Sequence, residues 1–233
     1  MDCDAVFLDA GGVLVLPNVD VFADVFAAAG ITLPREQDLL NRAHYLAMRA
    51  VDAGPPDAAA LHYLAGILEA LGLGRQTLPA AASAMRQLAD RPSSGVWNVV
   101  PPGTLDGLRA LEATGVALAV VSNADGTVEE SLRNLGLCQV GEGPGVGICV
   151  VVDSFVVEAE KPLPEIFAHA LASSGSRPDR TLHVGDGVRY DVQGARAAGI
   201  RPMHFDPFAL CDLDDHPHVA SLVELAHRLS VGV

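Results

Sequence analysis

The chain has 233 residues, half of them hydrophobic and 19% charged, enough apolar matter to bury a core, which excludes a disordered chain. Fifteen Lys and Arg stand against twenty-nine Asp and Glu, a formal charge of −14 that repels phosphate backbones and anionic lipid and so argues against nucleic-acid and membrane partners. No run approaches the ~18 to 20 apolar residues of a bilayer-spanning helix, Asp2 and Asp4 stand where a secretory signal would be basic and apolar, and Cys3, Cys138, Cys149 and Cys211 are widely spaced. Reduced thiols and a cytoplasmic location are expected.

The first element is a buried strand, Ala5 to Leu8, running into the tight turn Asp9-Ala10-Gly11-Gly12. From Pro17 to Asn98 the pattern is helical and no strand is expected. Val21, Phe22, Val25 and Phe26 form one apolar stripe, and Leu61, Leu64, Leu68 and Leu71 form another. After Pro101-Pro102-Gly103 the pattern alternates: a helix carrying Leu105, Leu108 and Leu111, then a strand over Val116 to Val121. Thr127 and Glu130 have capping-box spacing for a helix over 128–135 that stops at Gly136. Gly141 to Gly147 reads as a flexible connection. Strands follow at Ile148 to Val152 and Thr181 to Val184, helices at Pro164 to Ser173 and Asp191 to Ala198 with Gly199 as the stop, and a weaker strand near Pro202 to Phe205. Ser221 and Glu224 open a last helix with a second box. Short apolar strands alternating with helices predict an α/β fold with a doubly wound parallel sheet.

Asp9, Ser122-Asn123, Lys161 and the pair Asp186 and Asp191 fall at or just beyond the carboxyl ends of predicted strands, the edge where ligands bind in such sheets. Carboxylates gathered there repel one another unless a cation joins them. A hard divalent ion, magnesium above all, suits oxygen ligands, whereas zinc prefers Cys and His at close spacing and is not expected. Asp9 alone could merely cap the next element, and Ser122-Asn123 alone is an ordinary strand-end turn; it is the combination that points to chemistry. His216 and His218 look like a metal-binding tract, but the composition Asp214-Asp215-His216-Pro217-His218 reads as a solvated turn. His44, His62 and Asp57 are candidate acids in the helical segment, where a histidine is more often a packing or solvated residue. Arg42 and Arg49 read as solvated.

Phe7-Leu8-Asp9-Ala10-Gly11-Gly12-Val13-Leu14, Val120-Val121-Ser122-Asn123, Glu160-Lys161-Pro162 and His183-Val184-Gly185-Asp186-Gly187-Val188-Arg189-Tyr190-Asp191 resemble, in order, the four motifs of the haloacid dehalogenase-like (HAD) hydrolase superfamily. The resemblance implies a Rossmann-like core over 1–16 and 99–233, with a helical cap domain over 17–98. It implies that Asp9 is the nucleophile and that Ser122, Asn123 and Gly12 with Lys161 hold the phosphoryl oxygens. Lys161, the only lysine beside fourteen arginines, would also neutralise the nucleophile. Asp9, the Gly11 carbonyl, Asp186 and Asp191 would ligate Mg2+, with a small phosphorylated molecule as substrate. The chain departs from the family's phosphatases at Gly11, where they carry a second aspartate as general acid/base, a group typically worth about 10² to 10⁴ in rate. Three activities therefore stay open: a phosphatase or phosphotransferase, a 2-haloacid dehalogenase, whose halide leaves without a proton but whose family members lack the acid found here as Asp186, and a non-catalytic ligand- or partner-binding protein. A phosphonate-cleaving branch would need a second lysine.

Overall fold

The computed structural model describes residues 3–231, so that Asp2 lies outside them. The chain divides into two compact units, one made of the segment up to Val15 together with Val100 onward, the other of Leu16–Val99. Among the described residues no helix is long and apolar enough to cross a membrane.

The larger unit opens with β1 (Ala5–Leu8), whose four side chains are all buried. The second unit begins with β2 (Leu16–Pro17) and continues through α1 (Val19–Ala28), α2 (Gln37–Ala53), α3 (Ala59–Ala70), α4 (Leu78–Ala89) and α5 (Ser93–Val96) to β3 (Trp97–Val99). Asn18 caps α1 by accepting from the amides of Asp20 and Val21. Phe22, Val25 and Phe26 enter the helical core as their spacing predicts, with Leu64 and Leu68. Leu61 does not: it is 56% exposed, and Ile67 is buried instead. The expectation of no strand in this segment is also corrected. β2 and β3 pair antiparallel, Leu16 opposite Val99 and Pro17 opposite Trp97. They are held by an Asn18–Asn98 side-chain hydrogen bond of 2.9 Å and by Asn18 N donating to the Val96 carbonyl. Strands of two and three residues are too short to leave a periodic pattern.

The larger unit resumes with α6 (Thr104–Ala113), β4 (Ala117–Ser122), α7 (Val128–Asn134), β5 (Cys138–Val140), β6 (Val146–Ile148), β7 (Val150–Asp153), α8 (Ser154–Val157), α9 (Pro164–Ser174) and β8 (Thr181–Gly185). A π-helical stretch, Val188–Gln193, runs into α10 (Gly194–Ala197), followed by β9 (Arg201–Phe205), β10 (His218–Val219) and α11 (Leu222–Ser230). The single strand expected over 148–152 is thus two, because β6 turns aside to pair with β5. The turn 141–147 is pinned rather than loose: the Gln139 side chain donates to the Gly145 carbonyl and accepts from its amide. The Thr127 box does not form. The Thr127 hydroxyl donates to Asp125 Oδ1 at 2.7 Å instead, a local Asx-type contact that outcompetes the cap. The Ser221 box does form, Ser221 Oγ accepting from the Glu224 amide and Glu224 from the Ala220 amide.

Six strands make one sheet in the order β10-β9-β8-β1-β4-β7, every neighbouring pair parallel. Apolar on both faces, these strands bury Phe7, Ala119 and Val121 against Ile166, Phe167 and Ala170 of α9 and Ala195 of α10. Each buried phenylalanine contributes about 1.5–3 kcal/mol. Because the strands are parallel, Asp9, Ser122, Asp153, Asp186 and Asp206 emerge on one edge of the sheet.

Close packing at α6 gives a test. A Cβ on Gly107 would lie 2.4 Å from Leu222 Cβ and 3.1 Å from the Leu222 backbone, whereas one on Gly95 meets nothing within 4 Å. Gly107→Ala should therefore cost about 1–3 kcal/mol in urea unfolding despite alanine's better helix propensity, while Gly95→Ala should be neutral or stabilising by up to about 1 kcal/mol.

Candidate active site

Asp9 follows β1 with its amide bonded to the Val184 carbonyl at 2.8 Å, so the neighbouring strand fixes where its side chain starts. Its Oδ1 accepts from the Ala10 amide at 2.7 Å, and its Oδ2 lies 2.6 Å from Lys161 Nζ. The same ammonium is 2.7 Å from Asp191 Oδ1. Asp191 is further engaged by His183 Nε2 at 2.8 Å on Oδ1 and by the Gly187 amide at 3.0 Å on Oδ2. Asp9, Asp186 and Asp191 each place a carboxylate oxygen within 4.8 Å of the others.

Two glycines make this crowding possible. Gly12, at φ +76°, has the Asp186 carboxylate where a Cβ would sit, 2.2 Å from Oδ2. Gly185 has Asp191 Cγ 2.0 Å from its own Cβ position. Any larger residue at either place would push a carboxylate out. Lys161 is held from behind by Asn123, whose Oδ1 accepts from the Lys161 amide at 2.7 Å and whose Nδ2 donates to its carbonyl at 3.0 Å. The peptide that follows, Lys161–Pro162, is cis. Ser122 is buried at the end of β4. The loop after it is ordered by Asp153, which accepts from the Gly126 and Phe155 amides, and by Ser154 Oγ, which accepts from the Ala124 amide.

Electrostatics follow from burial. Desolvation, reinforced by Asp191 and Asp186 and only partly offset by Lys161, pushes Asp9 up to about 7. Burial also works against the Lys161 ammonium, but Asp191 and Asp9 outweigh it and hold its pKa above the ordinary lysine value. Burial alone would raise Asp191, yet Lys161 and His183 prevail and hold it well below the carboxylate range. Burial lowers His183, which donates as a neutral imidazole to Asp191 and packs edge-on against Phe167 at 4.9 Å. Three carboxylates around one ammonium leave an excess of two negative charges when all are ionised. A divalent cation with oxygen ligands matches both that charge and that donor set.

The structure thus brings together Asp9, Asp186, Asp191 and Lys161, with Gly12 beneath Asp186. It engages the Asn123 amide with the Lys161 main chain, so that side chain positions the lysine rather than reaching a ligand. Asp191 carries three donors on its two oxygens. The helical-unit candidates do not gather. His44 is buried among Tyr45, Tyr63 and Trp97 with Nδ1 3.0 Å from the Tyr63 hydroxyl, His62 packs on Gly54, and Asp57 is exposed, as are Arg42 and Arg49. The solvated-turn expectation for His216 is overturned: it is 6% exposed and clusters with His204, Cys211 and His218. Sequence reasoning missed His183 as a partner of Asp191. Its place on β8, two residues before Gly185 and on the α9 face, was the available signal.

The sequence profile of the haloacid dehalogenase-like hydrolase family matches residues 3–199. Human haloacid dehalogenase-like hydrolase domain-containing protein 3 is 34% identical over 163 residues, covering 67% of this chain and 61% of that protein. Phosphoglycolate phosphatase 1 of Pseudomonas aeruginosa is 31% identical over 140 residues, 59% of this chain and 47% of the relative. The chain therefore spans about three fifths or less of the length of these relatives. Among solved structures, the HAD-hydrolase YfnB from Bacillus subtilis, bound to magnesium, covers 98% of this chain and 99% of its own at a TM-score of 0.62 and 17% identity, a likeness of fold. A family profile spanning all four motifs and most of the sheet, on a parallel fold that brings those motifs to one edge, leaves one assignment: the chain belongs to the haloacid dehalogenase-like hydrolase family.

Proposed function

We propose that the chain is a magnesium-dependent phosphatase or phosphotransferase acting on a small phosphorylated metabolite through an aspartyl-phosphate intermediate. The observation that carries this reading is the Lys161 ammonium bracketed by Asp9 at 2.6 Å and Asp191 at 2.7 Å, with Asp186 alongside. Asp9, Asp186 and the Gly11 carbonyl are the groups to hold Mg2+, with Asp191 next to them as the anchor of Lys161. The bound ion supplies charge neutralisation for the carboxylates and for the phosphoryl group.

The steps belong to this chain's own side chains. Asp9 attacks phosphorus, forming a carboxylate–phosphorus bond as the ester oxygen departs with its electron pair. The Ala10 amide fixes one Asp9 oxygen and so aims the other. Lys161, set by Asn123 behind and by Asp191 and His183 beside it, neutralises charge that builds on the phosphoryl oxygens. Ser122 and the adjacent amides take the remaining oxygens. Water then attacks the acyl phosphate, releasing phosphate and restoring the Asp9 carboxylate. With Gly11 in place of an acid, the departing oxygen must be a good leaving group or draw its proton from the substrate; the helical segment 17–98 we assign as a cap domain. A cytoplasmic location accords with four free cysteines.

Hydrolytic dehalogenation is the second reading. Gly11 favours it, because a halide leaves unprotonated; Asp186, placed to share a cation with Asp9, weighs against it. Assay of phosphate esters and 2-haloacids with and without Mg2+ separates the two. Phosphate release abolished by EDTA is expected, and EDTA-insensitive halide release would replace the phosphatase reading.

Asp9→Asn should lower phosphatase turnover by on the order of 10⁴-fold or more with the unfolding midpoint little changed. Gly11→Asp should raise the rate on alkyl phosphates more than on aryl phosphates, since alkoxides need the proton most; equal gains in steady-state assays would refute the missing-acid account. Lys161→Ala leaves buried carboxylates unpaired and should cost about 3–5 kcal/mol in urea unfolding without metal, with part of that loss recovered at saturating Mg2+.

A further inference from the structure

At the far end of the sheet a second set of side chains converges. β10 pairs with β9 so that His218 lies directly opposite His204, and the His204 amide donates to the Pro217 carbonyl at 2.9 Å. The intervening loop is folded back by Asp206, whose carboxylate accepts from the Leu210 amide at 2.8 Å and the Cys211 amide at 2.9 Å. That fold brings Cys211 Sγ to 3.8 Å from His216 Nε2. His216 Nε2 is also 3.1 Å from His204 Nδ1 and 3.1 Å from His218 Nε2. All four ligand atoms lie within 4.8 Å of one another. The rings are tilted or edge-on, at 51° to 77°, so they meet at their nitrogens rather than by stacking.

His216 Nδ1 lies 2.6 Å from the Asp215 carboxylate, to which it donates. His204 Nε2 lies 3.1 Å from the Asp186 carbonyl, which can only accept, so that nitrogen carries the other proton. With both rings neutral, His204 Nδ1 and His216 Nε2 turn lone pairs toward one another across 3.1 Å, an arrangement that a shared metal ion would satisfy.

We propose that His204, Cys211, His216 and His218 form a structural zinc site that ties β10 and the loop 206–217 to β9. In a tetrahedron with metal–nitrogen bonds of about 2.1 Å and a metal–sulfur bond of about 2.3 Å, ligand atoms stand roughly 3.4–3.6 Å apart, a range bracketed by the 3.1, 3.1 and 3.8 Å from His216 Nε2 to His204, His218 and Cys211. Three imidazoles and one thiolate fill four positions, the closed coordination of a structural ion. The outer contacts match as well: a ligating imidazole that donates its second N–H to a carboxylate or carbonyl has its lone pair fixed toward the metal. Asp215 does this for His216 and is itself held by Arg196 at 2.8 Å, which with His216 keeps its carboxyl down at about 2. The Asp186 carbonyl does it for His204.

The test uses tag-free full-length protein stripped with chelator and titrated with Co2+, then Zn2+. One equivalent of Co2+ should give tetrahedral ligand-field bands and a thiolate-to-cobalt charge-transfer band, both displaced by Zn2+. The charge-transfer band should vanish in Cys211→Ser and persist in Asp186→Asn, which removes a carboxylate of the other cluster. Asp215→Asn should weaken Zn2+ binding by about 10- to 100-fold. A folded wild-type chain without the thiolate band, or a band that survives in Cys211→Ser, overturns the proposal.

Discussion

Everything in the acidic cluster depends on one buried ammonium. Lys161 is 2% exposed and sits between two carboxylates. In such surroundings an ion pair repays its desolvation only when its geometry is fixed and its remaining donors and acceptors are satisfied. The chain meets that condition from three sides: Asn123 clamps the lysine main chain, His183 and the Gly187 amide hold Asp191, and the Ala10 amide holds Asp9. The consequence is an asymmetry. Asp191 stays ionised far below the usual range while Asp9 is pushed up to about 7, so of the two acids on Lys161 it is Asp9 whose charge is not fully compensated.

Such an arrangement needs a fold that gathers distant residues, and the parallel sheet supplies it. Asp9, Lys161, Asp186 and Asp191 come from three separate stretches of sequence, and β1 between β4 and β8 sets their spacing. Close approach then falls to the glycines. Without Gly12 and Gly185 the Asp186 and Asp191 carboxylates would collide with the backbone that carries them. The glycines in the turn after β1 and at the end of β8 thus serve the site as directly as the charged residues do.

The alternation of short apolar runs with helical stretches made the parallel sheet legible, because each run is buried on both faces and lacks a polar side. The four acidic and basic positions were legible for a related reason: charged residues at the ends of apolar strands are costly without a task. What stayed hidden was lateral. Nothing in the pattern shows that the Asn123 amide is committed to the Lys161 backbone, since that bond spans 38 residues. The Thr127 box was misread because Asp125 offers a nearer acceptor, and β2 and β3 are too short to show a period. His216 and His218 looked like a solvated turn because two of their partners, His204 and Cys211, are supplied by a neighbouring strand and by a loop folded back on Asp206. Local composition describes the segment, whereas burial is decided by what packs across it.

The two clusters differ in ligand chemistry, and that difference would select different ions. Carboxylates and a main-chain carbonyl suit a hard ion that exchanges readily, while three imidazoles and a thiolate suit a borderline-soft ion held tightly. They are nonetheless joined by one contact, since His204 spans the gap between its own cluster and the Asp186 carbonyl at 3.1 Å. Holding the His204 ring therefore holds the peptide on which the Asp186 carboxylate is mounted, so the packing of the sheet edge bears on the position of that carboxylate.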